Sequence, residues 1–272
     1  MNYNQLKIMI DDEIKGLKWS DNIVEEASYY ALKEGKRLRP VLLLAFQELF
    51  QGNLIEAMPY AVALEMIHNY SLIHDDLPSM DNDQFRRGEL TVYAKYGEDI
   101  AILAGDNLLN RAFEILFNDL VNFENPKNRI KACHYISSAS GMKGMIGGQV
   151  IDILNSAEDE KDILEMYNMK TSALIKAACI GGTYLSGKLE YLEFAERYGE
   201  NLGLLFQLTD DLLDIEQDKE ANKTTYLSFE TKNGLLKRLD ELEREMKSNL
   251  EKIDYDTAVI EEIYLKMLQR EV

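Results

Sequence analysis

Two clusters of aspartate residues are the most informative feature of this chain. They comprise Asp75, Asp76 and Asp81 in the first cluster and Asp210, Asp211 and Asp214 in the second. Each cluster follows a largely apolar segment, over residues 61–67 and 202–208 respectively. A carboxylate is costly to bury unless an opposite charge neutralises it, and each cluster gathers three of them. Mg²⁺ prefers carboxylates, water and substrate phosphates as ligands, so the pattern predicts two acidic sites that bind metal.

The second cluster has the spacing of one helix face. Asp210 and Asp214 are four residues apart, so their side chains lie on the same face. Asp211 lies about 100° around the helix, where it can act through a water molecule or a hydrogen bond. A bound cation would relieve the repulsion between the carboxylates at this spacing.

The first cluster needs a break in its helix. Pro78 disfavours a helical conformation at the preceding residue and removes a backbone donor, so we expect the helix to end or kink there. Asp81 can then fold back beside Asp75. His68 precedes Asp75 by seven residues and is expected on the same helix face, two turns earlier.

Basic residues accompany both clusters. They are Lys36, Arg37 and Arg39 within residues 35–40, Arg86 and Arg87 directly after the first cluster, Lys170, and Lys223. Guanidinium forks suit phosphate oxygens, and a lysine supplies a point charge. Acidic groups for metal and basic groups for phosphate together fit a diphosphate held by bridging Mg²⁺.

The composition favours a helical protein that does not bind nucleic acid. The chain has 272 residues, four prolines and a formal net charge of −18, and strand-like alternation is nearly absent. Nucleic-acid binding requires a basic face, whereas local cations and bound metal still permit an acidic protein to bind a small anion. The chain shows no apolar run long enough to span a membrane and no secretory signal. Because its two cysteines, Cys133 and Cys179, are expected to be reduced, we expect a cytoplasmic protein.

Hydrophobic periodicity predicts nine helices. Their approximate bounds are 21–34, 41–51, 55–76, 99–118, 128–140, 160–185, 190–215, 232–250 and 256–270. Charged runs such as Asp218–Glu220 are expected to be solvated. No linker divides the chain, and the two clusters lie in different helices. We therefore expect a single domain over residues 1–272, in which one bundle brings the clusters face to face.

Six segments match one known family in sequence and in order. They are Gly35–Pro40, Ile67–Asp83, Arg86–Gly88, Gly147–Asp152, Lys170–Thr171 and Phe206–Asp214. The chain thereby resembles the trans-polyprenyl diphosphate synthases, most of all the bacterial short-chain farnesyl diphosphate synthases (geranyltranstransferases), over about residues 36–226. The resemblance implies an all-α helical bundle of the isoprenoid synthase type with a central cavity, usually assembled as a homodimer.

The resemblance also implies a reaction. Enzymes of this family condense isopentenyl diphosphate with an allylic diphosphate, here dimethylallyl or geranyl diphosphate, and we expect farnesyl diphosphate as the product. Mg²⁺ assists ionisation of the allylic diphosphate, with three ions expected and Mn²⁺ as an alternative. The allylic cation is attacked by the double bond of isopentenyl diphosphate, and a proton then leaves. The cation must be shielded from water, so an apolar cavity is required.

Roles for individual residues follow from the same resemblance. Two metal ions on the allylic diphosphate would be held by Asp75, Asp76 and Asp81, and a third by Asp210 with support from Asp211 and Asp214. The allylic diphosphate would be contacted directly by Arg86, Lys170 and Lys223. The diphosphate of isopentenyl diphosphate would be bound by Lys36, Arg39, His68 and Arg87. The reaction centre would be lined by Thr171 and Gln207, with Gln149 hydrogen-bonded nearby.

Product length would be limited by the floor of the cavity. Tyr70 and Ser71 lie just before the first cluster, and in the family bulk at these positions blocks growth of the prenyl tail. Because Tyr70 is large, we expect farnesyl diphosphate. Geranyl or geranylgeranyl diphosphate is the alternative product.

Three other functions fit parts of the pattern. A terpene cyclase or head-to-head synthase would have a different second metal motif and no isopentenyl site. A non-catalytic subunit of a heteromeric prenyl synthase would tend to lose aspartates from one cluster, whereas both clusters are intact here. The short segment after Asp214, in which Asn222 replaces an expected glycine, keeps that alternative open. A di-iron bundle would need two Glu-x-x-His pairs, and Glu65 with His68 is the only match.

Overall fold

The computed structural model describes residues 1–216 and 223–268 and is helical apart from one short hairpin. Its α-helices are α1 Tyr3–Gly16, α2 Ile23–Leu32, α3 Leu38–Leu49, α4 Leu54–Asp75, α5 Val92–Tyr96, α6 Glu98–Val121, α7 Lys127–Ser140, α8 Met145–Ile153, α9 Glu160–Tyr167, α10 Ala173–Ser186, α11 Leu192–Leu213, α12 Lys232–Leu250 and α13 Ala258–Leu268. A π-helical turn, Asn168–Ser172, joins α9 to α10, and 3₁₀ turns cover Leu189–Tyr191 and Tyr226–Ser228. The antiparallel hairpin pairs β1 Phe85–Arg86 with β2 Glu89–Leu90. The all-α prediction is confirmed.

All nine predicted helical segments contain helix in the described residues, but three helices were missed. These are α1, α5 and α8. The start of α1 could have been predicted from the sequence, because Asn2 caps the helix and Gln5 completes a capping box. In α8, Gly147 and Gly148 lower helix propensity, and the helix is stabilised by close packing that the sequence pattern does not report. The predicted charged run Asp218–Glu220, the position of Asn222, and the end of the last predicted helix lie outside the described residues.

The third helix begins earlier than predicted, and this changes the setting of the basic segment. The predicted helix over residues 41–51 leaves Pro40 outside it, but α3 already starts at Leu38. A proline is tolerated in the first turn, because backbone donors there have no partner within the helix. Arg37 precedes the helix in the left-handed conformation, with φ of 58°. That turn buries the side chain of Arg37.

Helix α10 lies at the centre of the bundle and packs against α3, α7 and α11. Small residues permit this close packing. A Cβ atom on Gly182 would lie 2.4 Å from the carbonyl oxygen of Leu43, so the α3 backbone occupies the space a side chain would need. None of the helices in the described part of the chain has the length and apolar character needed to cross a membrane.

A second close approach, between α4 and α6, sets the direction of the end of α4. A Cβ atom on Gly105 would lie 2.1 Å from Nε2 of His74, so the imidazole fills the gap at this glycine. The same ring lies 3.1 Å from the carbonyl oxygen of Ile102. His74 therefore has a structural role in directing the last turn of α4, which carries the first aspartate cluster.

Candidate active site

A cavity of about 420 Å³ lies beside the last turns of α4. Its walls are formed by α4, the start of α3, α8 and the π turn. The polar side chains lining it are Arg39, His68, Ser71, His74, Asp75, Gln149, Lys170 and Thr171, and the apolar or aromatic ones include Tyr70, Met80, Met145, Ile146, Val150 and Ile153. This lining suits a ligand with a charged head and an apolar tail.

The first aspartate cluster folds back as Pro78 predicts. Helix α4 stops at Asp75, and the amide of Asp81 donates to the carbonyl oxygen of Asp75 at 2.8 Å. Nε2 of Gln149 donates to Oδ1 of Asp75 at 3.1 Å. Burial raises the pKa of Asp75 to about 6, against the opposing effect of the nearby Lys170. The ionised carboxylate is thus short of positive charge and favours a bound cation.

Asp76 faces a different neighbour, Arg86. The guanidinium donates to Oδ1 of Asp76 from Nε at 2.8 Å and from Nη2 at 2.6 Å. Asp76 is buried, and with Arg86 and Arg87 it lines a smaller cavity of about 140 Å³. The pair therefore orients Arg86 beside the cluster, an arrangement that sequence spacing did not reveal.

The π turn places Lys170 and Thr171 on the cavity wall. Nζ of Lys170 donates to Oδ2 of Asp152 on α8. Oγ1 of Thr171 donates to Oε1 of Gln207 on α11 at 2.6 Å. The π turn links α8 to α11 through these two adjacent side chains, and such turns are frequent at functional sites.

Two glycines allow the π turn to lie this close to its neighbours. A Cβ atom on Gly148 of α8 would lie 2.2 Å from the backbone nitrogen of Lys170. A Cβ atom on Gly203 of α11 would lie 2.3 Å from Oγ of Ser172. Both distances are shorter than van der Waals contact, so the position of Lys170 depends on the absence of a side chain at these sites.

The second cluster divides into two kinds of position. Asp210 is partly buried in the last turn of α11, and Asp214 is exposed just after the helix, its amide donating to the carbonyl oxygen of Asp210 at 2.9 Å. Asp211 is buried, and its Oδ2 accepts a hydrogen bond from Oη of Tyr167 at 2.6 Å. Asp210 lies three residues after Gln207, which is tied to the cavity wall through Thr171.

Two of the residues assigned to the second diphosphate, Arg39 and Arg87, lie near His68 together with Arg86, and these arginines form a cationic group. Burial lowers the pKa of His68 well below its usual value, and Arg39, Arg87 and Arg86 lower it further, so its imidazole is neutral near pH 7. Burial and Arg87 lower the pKa of Arg39 to about 10, although Glu65 opposes the shift. Nε of Arg39 is buried and has no hydrogen-bond partner among the described residues. A buried donor of this kind fits an anion as its partner.

Lys36 and Lys223 are both exposed. The carbonyl oxygen of Lys36 accepts a hydrogen bond from Oη of Tyr3, so its backbone is held against α1. Lys223 lies three residues before the start of the Tyr226–Ser228 turn. Neither side chain belongs to the lining of the 420 Å³ cavity.

A buried ion pair next to the basic segment 35–40 was not predicted from the sequence. Nη1 of Arg37 donates to Oε1 of Glu65 at 2.7 Å, and Nε donates to Oδ1 of Asp11 at 2.9 Å. Nδ2 of Asn69 donates to the same Glu65 atom at 3.1 Å. Glu65 lies within an otherwise apolar stretch of α4. Because a carboxylate in such a stretch is rarely buried without a partner, the sequence could have indicated that Glu65 forms an ion pair. The network holds the backbone turn that presents Lys36 and Arg39.

Tyr70 and Ser71 both line the cavity, as the prediction of a cavity floor requires. Tyr70 is buried, and its ring packs edge-on against His74 with ring centroids 5.8 Å apart. Oγ of Ser71 donates to the carbonyl oxygen of His68 at 2.9 Å, so this small side chain is hydrogen-bonded to its own helix. Bulk at this wall therefore comes from Tyr70.

The donor set fits Mg²⁺ better than a cation held by protein alone. Among the described residues, no three acidic, histidine or cysteine side chains converge closely enough to hold an ion by themselves. Mg²⁺ typically takes one or two carboxylates and completes its octahedral shell with water and phosphate oxygens. The carboxylates at the ends of α4 and α11, with cations close by, fit an ion of this kind that is bound together with a diphosphate.

Comparisons with known proteins agree with this architecture. The polyprenyl synthetase family model matches residues 21–264. A geranylgeranyl diphosphate synthase of Cyanophora paradoxa is 39% identical over 91% of this chain and 88% of its own. A farnesyl diphosphate synthase of Micrococcus luteus is 36% identical over 84% of this chain and 83% of its own.

A solved structure shows the same fold with ligands. The geranyltransferase of Helicobacter pylori, crystallised with magnesium and isoprenyl diphosphate, has a TM-score of 0.83 and 29% identity, covering 98% of this chain and 95% of its own. The two synthases differ in the product that their names give, geranylgeranyl diphosphate for one and farnesyl diphosphate for the other. The residues that match across nearly the whole chain, together with the shared fold, place this protein in the Mg²⁺-dependent polyprenyl synthetase family, as a prenyltransferase that elongates prenyl diphosphate chains.

Proposed function

We propose that the protein is a farnesyl diphosphate synthase. It would condense isopentenyl diphosphate with dimethylallyl diphosphate and then with the resulting geranyl diphosphate. The observation that carries the proposal is one cavity, lined by Asp75 and Lys170 for a diphosphate and by Tyr70 and apolar side chains for a tail of limited length. Geranylgeranyl diphosphate is the competing product, because relatives with that name are as similar as the farnesyl synthase.

We assign the metal-facing role to Asp75, Asp81 and Asp210. Mg²⁺ bound there with the allylic diphosphate would neutralise the charge that develops on the leaving group. Arg86, held by Asp76, and Lys170, held by Asp152, supply fixed positive charge beside the same group. Such preorganised cations stabilise the departing diphosphate without having to reorganise during the reaction.

The second substrate would be held by the cationic group. Arg39, with its unpaired buried donor, would bind the diphosphate of isopentenyl diphosphate together with Lys36 and Arg87. Neutral His68 would contribute a hydrogen bond in place of a charge. Substrate clamps of this kind fix the two reacting carbons at attack distance.

The reaction itself requires little covalent chemistry from the protein. The allylic carbon–oxygen bond breaks, and its electron pair leaves with the diphosphate. The double bond of isopentenyl diphosphate donates its electrons to the allylic carbon, and the proton lost afterwards passes to a diphosphate oxygen. Thr171 and Gln207 form a hydrogen-bonded pair next to the cavity, where their oxygens can stabilise the positive charge, and the apolar wall excludes water.

A product assay tests the proposal directly. The purified protein would be incubated with isopentenyl diphosphate, Mg²⁺ and either dimethylallyl or geranyl diphosphate, and the dephosphorylated alcohols would be separated by chain length. Farnesol as the dominant alcohol supports the proposal, whereas geranylgeraniol assigns the competing product. If folded protein condenses neither primer, the non-catalytic subunit is the correct interpretation.

Shortening Tyr70 is expected to lengthen the product. Tyr70→Ala removes the ring from the cavity wall, so the tail can extend further and alcohols longer than farnesol should dominate. Tyr70→Phe is the matched control, because it keeps the bulk and loses only the hydroxyl, and it should retain the wild-type product. An unchanged product profile in a folded Tyr70→Ala protein would show that another residue limits the tail.

We also propose a homodimer in the cytoplasm. Leu103, Phe117 and Val121 fall on one face of α6 and are 50%, 60% and 79% exposed. Large apolar side chains grouped on a surface mark interaction sites, and a second copy of the chain is the partner we expect. The two unpaired thiols, Cys133 and Cys179, agree with a reducing compartment.

A charge on this face should separate the dimer. Phe117→Glu would place an unpaired carboxylate in the interface, and the dimer dissociation constant should rise by at least about tenfold. Light scattering coupled to size-exclusion chromatography would measure the mass across a dilution series. Leu236→Glu, at a residue 41% exposed on α12, is the control and should leave the mass unchanged. If Phe117→Glu and Leu236→Glu change the mass equally, this face of α6 is not the dimer interface.

A further inference from the structure

The buried aspartate of the second cluster, Asp211, is held by two tyrosines from other parts of the chain. Oδ2 of Asp211 accepts hydrogen bonds from Oη of Tyr167 at 2.6 Å and from the backbone nitrogen of Tyr226 at 3.0 Å. The same Tyr226 nitrogen lies 3.1 Å from Oη of Tyr167, so its hydrogen is shared between the two oxygens. All three residues are at most 4% exposed. Oδ2 of Asp211 is thus engaged by the protein itself, and the residue presents little surface to a hydrated metal ion.

The three residues come from separate parts of the chain. Tyr167 ends α9, Asp211 lies in the last turn of α11, and Tyr226 begins the 3₁₀ turn that follows the segment carrying Lys223. The ring of Tyr226 makes a further contact, because its Oη donates to Oε1 of Glu160 at the start of α9 at 2.9 Å. Tyr226 is thus fixed at its backbone by α11 and at its hydroxyl by α9.

The turn at Tyr226 is also closed locally. The amide of Thr225 donates to Oγ of Ser228 at 3.1 Å, and the two residues form a capping box around the turn. This box closes the turn that contains Tyr226 from both ends. Lys223 lies three residues before Tyr226, and three residues of chain span at most about 10 Å. The position of Tyr226 therefore limits where Lys223 can lie.

The same contacts lie next to two other residues of the site. Tyr167 is three residues before Lys170 and directly precedes the π turn. Asp211 directly follows Asp210. The hydrogen-bonded group of Tyr167, Asp211 and Tyr226, here termed the tyrosine anchor, thus joins the chain segments that carry Lys170, Asp210 and Lys223.

We infer that Asp211 is a positioning residue and not a ligand of Mg²⁺. With Tyr167 it holds the Tyr226 backbone, and through it Lys223, at the end of α11 beside Asp210. The inference rests on the proposed function for the role of Lys223 toward the allylic diphosphate. The hydrogen bonds that define the tyrosine anchor are independent of that function.

The experiment compares two kinds of substitution at two adjacent aspartates. Asp211→Asn keeps an oxygen that can accept the Tyr226 hydrogen, while Asp211→Ala removes it. Tyr167→Phe removes only the hydroxyl of the anchor. Asp210→Asn and Asp210→Ala serve as the comparison at a residue proposed to face the metal.

Three readouts separate anchoring from metal binding. Hydrogen exchange at the Tyr226 amide is measured in protein without Mg²⁺ or substrate. The Mg²⁺ concentration needed for half-maximal binding of inorganic pyrophosphate is measured by calorimetry. The KM for geranyl diphosphate and kcat are measured by the condensation assay.

We expect the anchor variants to affect exchange and KM together. Asp211→Ala should speed exchange at Tyr226 and raise KM about tenfold, while Asp211→Asn should stay within about threefold of wild type and Tyr167→Phe should fall between them. All three should leave the Mg²⁺ requirement unchanged within about twofold. Both Asp210 variants should raise that requirement about tenfold or more and leave Tyr226 exchange unchanged.

The result that overturns the inference is a metal phenotype at Asp211. If Asp211→Asn raises the Mg²⁺ requirement as much as Asp210→Asn does, Asp211 is a ligand. If Tyr226 exchange is unchanged in folded Asp211→Ala or Tyr167→Phe protein, the anchor does not hold the backbone. If Asp211→Ala does not fold, Tyr167→Phe tests whether the anchor holds the Tyr226 backbone, and Asp211→Asn tests whether Asp211 binds Mg²⁺. Should wild type show no condensation, the proposed function fails, while exchange and pyrophosphate binding still test the anchor.

Discussion

Replacing Asp75 by asparagine is expected to lower kcat/KM by a factor of about 10²–10³ while the protein stays folded. Asn has nearly the same shape and can keep the 3.1 Å contact with Gln149 through its amide oxygen, so the loss isolates the charge. Without the carboxylate, the site loses one anionic ligand for Mg²⁺. It also loses the negative charge that interacts with the nearby Lys170. Initial rates over a series of Mg²⁺ concentrations would measure the effect.

Although Asp75→Asn should lower activity, it should not lower the stability of the fold. Burial disfavours the charged form of Asp75 at neutral pH, so the neutral amide should leave the free energy of unfolding unchanged or slightly higher in the absence of Mg²⁺. Asp83→Asn is the matched control, because Asp83 is an exposed aspartate in the same loop. It should retain activity within about threefold, since exposed charges contribute little. Equal activity losses at Asp75 and Asp83 would mean that loop charge, and not a specific ligand, supports the reaction.

Replacing Gly148 by alanine is expected to abolish most activity by displacing the π turn. The added Cβ atom would lie 2.2 Å from the backbone nitrogen of Lys170 and 2.6 Å from its Cα atom. Backbone cannot rotate away as the end of a side chain can, so α8 and the π turn must separate. We expect about 1–3 kcal/mol of lost stability from this overpacking. We also expect a fall in kcat of about 10²-fold, because a misplacement near 1 Å has an effect of that size.

Gly181→Ala provides the control for this prediction. Gly181 lies inside α10, and a Cβ atom there would approach no closer than 3.4 Å to Cδ1 of Leu43, which is ordinary contact. Alanine also has the higher helix propensity, so its stability should be within about 1 kcal/mol of wild type and its activity unchanged. Urea unfolding and initial rates at a temperature where both variants are folded would compare them. Wild-type kcat in Gly148→Ala protein would show that the π turn tolerates a shift.

The sequence predicted the local chemistry of the site more reliably than the partners of each residue. Pro78 was sufficient to predict that α4 ends and that Asp81 returns to Asp75, because the effect of proline on the preceding residue is local. The partner of Asp76 was not predictable in the same way. Its pairing with Arg86 depends on where the hairpin after the cluster lies, and two-residue strands carry almost no sequence signal.

The aspartates of the second cluster illustrate the same limit. Helical spacing set Asp211 apart from Asp210 and Asp214, and in the structure it is the buried one of the three, while Asp214 lies just after the helix. The spacing could not show what Asp211 faces. That depends on Tyr167 and on Tyr226, which reach Asp211 from other parts of the chain. The missed ion pair of Arg37 with Glu65 likewise joins residues far apart in sequence, and only packing brings them within 2.7 Å.

The amino-acid sequence by itself therefore determined the helical class, the two acidic clusters with their basic companions, and the family. These features depend on short spacings and on residue types, which local backbone preferences and charge largely settle. Tertiary structure alone decided which carboxylates face the cavity, how the π turn presents Lys170, and where Tyr70 stands in the wall. The physical reason is that each of these depends on contacts between helices, such as Gly148 against Lys170, whose geometry exists only once the bundle has packed.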